Sequence, residues 1–396
     1  MPDPRIRAWW SHWQGLDGSL RTATPGEILT RTGWCRTVGG VSPYLACFAR
    51  ARLDRAAVDA ALAAQEIHEL PSVRGCTYAL PAADYALGLA LGEAAGDGDM
   101  AAARKLGVTD QEIDALCATI LVALGSDTLT PDALRDATGG ASRSLGEAGK
   151  KKGVSTTLPL ALGRLQATGD VRRVPLTGRL DTQRYAYARW SPNPRAGFTV
   201  SAEDQRRQLA AAYFRWIGPA SLKEFQWFSG FGVAGSAKAV APLELTPVTP
   251  GSDLLLPAAD MAAFEAFVMP TSPQYALVGT LDTIVAARRN IAGLLEESDL
   301  SRLIIADKAE RPLGLLADLP SHAVLDRGHL IGLWEYDTAS SSIVCALFGR
   351  KPDKALKAEI EATEAFIRAD LGDARAFSLD SPASRTTRIE RLRALE

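Results

Sequence analysis

Thr130-Pro131-Asp132-Ala133-Leu134-Arg135-Asp136-Ala137-Thr138-Gly139 carries the marks of a short capped helix. A Thr N-cap accepts from orphan amides of the first turn, Pro at the first helical position tolerates its missing N–H, and Gly closes the far end in a left-handed turn. Asp110 to Leu124 comes before it, with Ile113, Leu116, Cys117, Ile120, Leu121 and Leu124 at the spacing of an amphipathic helix. After a stretch rich in glycine and lysine, Ser155-Thr156-Thr157-Leu158-Pro159 starts a third helix, with Leu158, Leu162 and Leu165 as its apolar positions and Gly169 as its end. Two strands follow, Val171 to Pro175 and Arg184 to Trp190, joined by Leu176-Thr177-Gly178-Arg179-Leu180-Asp181. Three helices and a β-hairpin predict a winged helix, whose second helix begins and stops as the Thr130 segment does.

The same pattern occurs twice more, at Thr24-Pro25-Gly26-Glu27-Ile28 running to Thr32-Gly33 and at Ser221-Leu222-Lys223-Glu224-Phe225 running to Ser229-Gly230. In each copy a hydroxyl residue is followed four positions later by a large apolar one, eight later by Thr or Ser, and nine later by Gly. The third copy has a preceding helix from Ala202 to Trp216, a candidate third helix from Val233 to Ala241, and a hairpin-like stretch ending Leu254-Leu255-Leu256. The first copy ends its own candidate hairpin at Cys76 to Leu80. Both hairpins run into one pentapeptide, Leu80-Pro81-Ala82-Ala83-Asp84 and Leu256-Pro257-Ala258-Ala259-Asp260. Two matches in the same order point to duplication.

At 396 residues the chain exceeds one hydrophobic core, so two to four domains are expected. The reading is an α+β protein, mainly helical: winged-helix modules at 1–92, 100–195 and 201–271, then a β-rich domain at 272–396. Gly92 to Asp99, rich in Gly, Ala and acid, reads as a linker. Beyond Ser272, short apolar runs with turn signals predict strands at Gln274 to Val278, Leu303 to Asp307, Leu313 to Leu316, Ala323 to Leu325, Leu330 to Tyr336 and Ser342 to Phe348. Lys354 to Leu371 reads as a helix.

Apolar residues make up 47% and charged residues 23%, ordinary usage that argues against disorder or a membrane protein. The opening, with Trp9, Trp10 and Trp13 broken by Arg, His and Gln, lacks the continuous apolar run of a signal peptide, so a cytoplasmic protein is expected, on the nucleoid when bound to DNA. Cys35, Cys47, Cys76, Cys117 and Cys345 have no paired spacing, which suggests neither disulfides nor zinc. His12, His68, His322 and His329 are far apart, and no metal or other cofactor is implied. The net charge of −2 hides an asymmetry, because Gly139 to Trp190 alone carries +7 and the rest of the chain −9. That is the footprint of one face meeting a polyanion, with double-stranded DNA as the expected partner.

Within the basic module, Thr156 and Thr157 sit at a helix start whose free N–H groups suit a phosphate. Lys150, Lys151 and Lys152 read as a flexible basic arm, with Arg164 on the third helix and Arg172, Arg173, Arg179 and Arg184 on the wing. Each alone fits a solvated face equally well; the cluster points to DNA. Gly230-Phe231-Gly232-Val233-Ala234-Gly235 spells a dinucleotide fingerprint, but it follows a helix rather than a strand and reads as a turn. The tryptophans at 9, 10 and 13 read as packing residues of an early helix rather than base-stacking ones.

Val41-Ser42-Pro43-Tyr44-Leu45-Ala46-Cys47-Phe48-Ala49-Arg50, Ile67-His68-Glu69-Leu70 with Arg74-Gly75-Cys76-Thr77-Tyr78, and Asp326-Arg327-Gly328-His329-Leu330-Ile331-Gly332-Leu333-Trp334 resemble the AlkZ/YcaQ family of winged-helix DNA glycosylases. The resemblance covers most of the chain. It implies tandem winged helices followed by a barrel-like domain, metal-independent removal of alkylated purines or unhooking of crosslinks, and a monomer acting on double-stranded DNA, damaged DNA included. By the family's register its Gln-x-Gln or Gln-x-Asp pair falls on Arg36 and Val38, near Trp34, and its usual first-wing His on Tyr78. Arg36 has donors only and Val38 cannot polarise water, so neither does a glutamine's work. Glu66 or Glu69, on the first module's candidate strand, could supply a carboxylate for such a reaction, though each also reads as a surface acid. A non-catalytic transcriptional regulator or damage-recognition protein is the alternative.

Overall fold

The computed structural model describes residues 3–306, 309–377 and 379–395. It forms two compact units, one from residues up to Ile67 together with those from Arg206 onward, the other from His68 to Gln205. The first expected module, 1–92, is therefore shared between them.

All three repeated segments are eight-residue helices, Pro25–Thr32, Pro131–Thr138 and Leu222–Ser229. Thr24, Thr130 and Ser221 each accept from the amide three residues on, and Glu27 and Glu224 close reciprocal capping boxes. The three closing glycines all have positive φ, 97°, 50° and 72°, but only Gly230 takes the left-handed helical conformation.

In the second unit the strands Ile67–Pro71 and Thr77–Pro81 lie side by side and lead into the helix Tyr85–Gly92. The expected linker at 92–99 is instead helical: a 3-10 turn, Glu93–Gly96, runs into the helix Asp97–Arg104. Asp97 and Asp99 occupy its first turn, where the helix dipole favours acids, and Met100 and Ala103 are buried. Asp110–Leu124 packs against Pro131–Thr138 and Leu158–Ala167 around a core that includes Ile113, Ile120, Leu134, Leu162 and Val171. The hairpin pairs Val171–Pro175 with Tyr185–Arg189, Arg173 opposite Tyr187, and the short strand Thr128–Leu129 pairs on the far side of Tyr185–Arg189. Lys150 and Lys151 belong to a short helix, Gly146–Lys151, and not to a flexible arm; only Lys152 lies beyond it.

The other unit is built around an apolar core that includes Trp9, Trp10, Leu256, Ile284, Leu325 and Leu333. On the helix Pro4–Trp13, Trp9 and Trp10 are buried and donate their indole N–H groups to the carbonyls of Gly218 and Pro219. Leu222–Ser229 and Val233–Val240 meet at the Gly230-Phe231-Gly232 corner, so that glycine pattern is a turn between helices. A hairpin, Leu245–Pro247 with Leu255–Pro257, then leads into a 3-10 turn at Ala258–Asp260. The same 3-10 turn, Ala82–Asp84, follows the other copy of the pentapeptide.

Toward the C-terminus four antiparallel strands lie in the order Ser342–Leu347, His329–Asp337, His322–Asp326, Tyr275–Val278. Leu303–Ala306 and Ala309–Pro312 make a separate two-stranded sheet; the expected end of the first of these, Asp307, lies outside the described residues. Leu313 to Leu316 is not a strand. It forms a 3-10 turn, Leu313–Leu315, with Leu313 fully buried. No closed sheet is present among the described residues, so the barrel expectation gives way to two open sheets. The sheet is covered by Lys354–Phe366 and by Pro382–Leu395, whose Arg388 donates to the buried Glu335 at 2.9 Å. In the same unit Arg50 makes a two-pronged ion pair with Asp282 at 2.7 and 2.8 Å, both side chains 1% exposed.

Candidate functional site

Glu69 lies on the strand Ile67–Pro71, where alternation turns successive side chains to opposite faces. Its carboxylate is buried. Oε2 stands 3.5 Å from the guanidinium of Arg173 and accepts no hydrogen bond. Tyr185 donates to Glu69, and burial together with the Glu69 charge drives the phenol well above its ordinary range. Arg173 in turn lies over the Tyr185 ring, 4.8 Å from its centroid. The hairpin register explains this: Arg173 faces Tyr187, and Tyr185 is its diagonal neighbour on the same face.

His68, next along the strand, packs edge-on against Trp190 at 4.9 Å and has a buried Nδ1 without a partner. Burial, then the charges of Arg172 and Arg173, hold its pKa down at about 3. Burial likewise lowers Arg172 and raises Tyr187. A histidine beside two arginines and an aromatic wall is a neutral packing element at physiological pH.

The expected DNA contacts separate into two groups. Arg164 pairs with Asp110 and Asp114, Arg173 with Glu69, Arg179 with Asp181, and Lys150 with Glu147. Thr157 is fully buried and its hydroxyl accepts from the Arg143 amide, so it is a core residue and not a phosphate ligand; Thr156 is bridged to Ser144. Arg172 is half-buried rather than presented on the wing. Lys151, Lys152, Arg184 and Arg189 are exposed and carry no ion pair among the described residues.

Glu66 does not stand free. It accepts from the Thr24 hydroxyl and from the Gly26 amide at 2.9 Å, so it serves as a second cap for Pro25–Thr32. In the same unit, Trp34 is buried against Trp216 with ring centroids 5.4 Å apart. Cys35–Arg36 is a two-residue strand, and the hydroxyl of Thr37 and Nε of Arg36 are buried without hydrogen-bond partners. Tyr78 is buried on Thr77–Pro81. Tyr185 and Tyr187 were missed by the sequence reading. The alternation of Tyr185-Ala186-Tyr187, on the strand paired with Arg173-Val174-Pro175, was the available signal for the tyrosines. Among the described residues no group of three or more His, Cys, Asp or Glu is placed to hold a metal ion, and no helix is long and apolar enough to cross a membrane.

A family model described as DNA glycosylase AlkZ-like matches residues 40–366. The chain belongs to the AlkZ-like family of DNA glycosylases. No curated protein matches it. Among solved structures it is similar to Streptomyces sahachiroi DNA glycosylase AlkZ, with a TM-score of 0.67 at 17% identity over 92% of this chain and 96% of that one. At that identity the likeness speaks for the fold. The AlkZ-like match begins at residue 40, just after the Trp34–Gly39 stretch in which Arg36 and Val38 stand.

Proposed function

We propose that this chain binds duplex DNA through the hairpin side of its second unit and hydrolyses the N-glycosidic bond of alkylated bases without metal or cofactor, Glu69 supplying the carboxylate. Membership of the AlkZ-like family supports the reaction class. The observation that carries the assignment is Oε2 of Glu69, on a carboxylate 5% exposed, which faces the Arg173 guanidinium at 3.5 Å but accepts no hydrogen bond. Buried acceptors are rarely left without a hydrogen bond in a folded chain. Loss of an alkylated, cationic purine moves positive charge onto the sugar, and a pre-oriented carboxylate lowers that barrier by stabilising the charge or aligning water. Tyr185 and Arg173 fix the carboxylate in place.

Helix, short strand, helix, helix and hairpin, from Asp110–Leu124 to Tyr185–Arg189 with the short helix Gly146–Lys151 inserted before Leu158–Ala167, follow one another in the order of a winged helix, and the repeated capped helices extend that reading to residues 1–92 and 201–271. The DNA contacts we assign are Lys151, Lys152, Arg184 and Arg189, the exposed cations of residues 139–190 that carry no ion pair among the described residues. Three such modules in one chain let a monomer embrace DNA without a symmetric partner.

The test is incubation with duplex carrying N7-alkylguanine. Abasic sites appear with the unaltered protein and with Glu66→Gln, and are lost with Glu69→Gln. A second reading, recognition of damage without hydrolysis, is favoured by Arg36 and Val38 standing where the family's glutamines fall. It predicts tighter binding to the alkylated duplex and no abasic sites from any variant.

A further inference from the structure

The third capped helix, Leu222–Ser229, holds Lys223 and Trp227 one turn apart on its outer side, with the Lys223 ammonium over the indole at 5.0 Å from the ring centroid. Phe231 follows at the corner, where Arg206 from the helix Ala202–Ile217 lies over its ring at 5.5 Å. Val233 then opens the helix Val233–Val240. Trp227 is 39% exposed and Val233 73%, and Phe231 is half-buried. Large apolar side chains scattered singly over a surface need no explanation; a cluster of them at one helix–helix corner marks a contact surface.

Charge and side-chain chemistry say what would cover it. From Arg206 to Leu243 every exposed charge is positive, on Arg206, Arg207, Arg215, Lys223 and Lys238, and the one acid of the stretch, Glu224, is buried in its capping box. That sign suits an acidic partner. Nucleic acid fits the corner poorly. Lys223 and Arg206 each occupy a face of the ring on which a base would stack. The helix Val233–Val240 exposes Val233, Ala234, Ala237 and Lys238, a surface with a single donor group and no side-chain acceptor, whereas reading base edges and phosphates takes several of both. An apolar centre with cations at its rim is instead the build of a protein interface.

We infer that the corner between Leu222–Ser229 and Val233–Val240 docks a protein partner through an acidic amphipathic helix. The partner's apolar stripe lies on Trp227, Phe231 and Val233, and its flanking carboxylates meet Lys223 and Arg206. Recognition of this kind reads apolar anchors spaced three and four residues apart on one face of a helix, with the aromatic side chain carrying a large share of the affinity. The third repeat is thereby a protein-binding module, whatever reaction the rest of the chain performs.

The experiment is fluorescence anisotropy of the full chain with a labelled helical peptide of about five turns, leucine along one face and glutamate on the others, against the same peptide with lysine in place of glutamate. The glutamate peptide is expected to bind on the order of tenfold more tightly. Val233→Asp, an acid in a first helical turn where the dipole tolerates it, weakens that binding by on the order of tenfold with the thermal unfolding midpoint unchanged. Lys223→Glu with Arg206→Glu reverses the preference between the two peptides. Equal binding of both peptides, no binding, or unchanged binding by Val233→Asp overturns the inference. Weakened binding of a short duplex or of oligothymidylate by Val233→Asp assigns the corner to nucleic acid and overturns it as well.

Discussion

Lowering the pH from 7 to 5 should destabilise the second unit through a single side chain, His68, and replacing that side chain with Phe should remove the effect. In the folded chain the imidazole pKa is held down from 6.5 to about 3, because protonation would place a cation in a buried site already facing Arg172 and Arg173. A base whose pKa is depressed on folding contributes its stability above the unfolded value and loses it as pH falls toward the folded one. The window therefore opens near pH 6.5 and closes near pH 3. At pH 5 the unfolded chain has gained a proton that the folded chain refuses. One and a half pH units at about 1.4 kcal/mol each gives a loss of about 2 kcal/mol. His68→Phe keeps the edge-on contact with Trp190 and removes the partnerless Nδ1, so at pH 7 the variant is expected to be at least as stable as the unaltered protein. Urea denaturation at both pH values, followed by tryptophan fluorescence, gives the difference directly. His322, in the other unit, is held down to about 4 by its own burial, contributes in both proteins and cancels on subtraction. If the pH-dependent loss is the same in the unaltered protein and in His68→Phe, or if His68 titrates near its ordinary value in a proton NMR experiment, the reasoning is wrong.

Lys151→Ala with Lys152→Ala should lower the slope of log binding constant against log salt on undamaged duplex by about two units, each lost phosphate contact accounting for roughly 0.9; Arg164→Ala, already paired internally, should change it much less. Asp282→Ala leaves Arg50 buried without its counter-ion and is expected to cost about 3–5 kcal/mol in chemical denaturation, part of it regained by adding Arg50→Met. Gly328→Ala should cost about 2–4 kcal/mol in the same assay, since φ is +74° there and the new Cβ would stand 2.0 Å from the Arg7 carbonyl oxygen.

Local chemistry made much of the molecule legible in its sequence. The three capped helices were readable because caps are satisfied within four residues of the chain, and the hairpin at Val171–Pro175 because its alternation and turn are also local. Reading failed where a segment's state depends on what it packs against. The 92–99 stretch has linker composition, yet it turns helical on the way to burying Met100 and Ala103; Leu313 to Leu316 has strand composition, yet Leu313 is drawn into the core as a 3-10 turn. The sheet's failure to close was equally invisible, since closure is a relation among strands distant in sequence.

The candidate site shows the same division. Sequence alone established that residues 139–190 are basic, that Glu66 and Glu69 flank one histidine, and that Arg36 and Val38 stand where the family's glutamines fall. Which of those charges face outward was decided by the fold, because an ion pair needs two side chains within about 4 Å and the partners of Arg164 and Arg173 lie 50 and 104 residues away along the chain. Only tertiary structure could spend Glu66 on a helix cap, bury Thr157, and leave one oxygen of Glu69 without a hydrogen bond. The two glutamates differ by three positions in sequence and by everything that surrounds them in space.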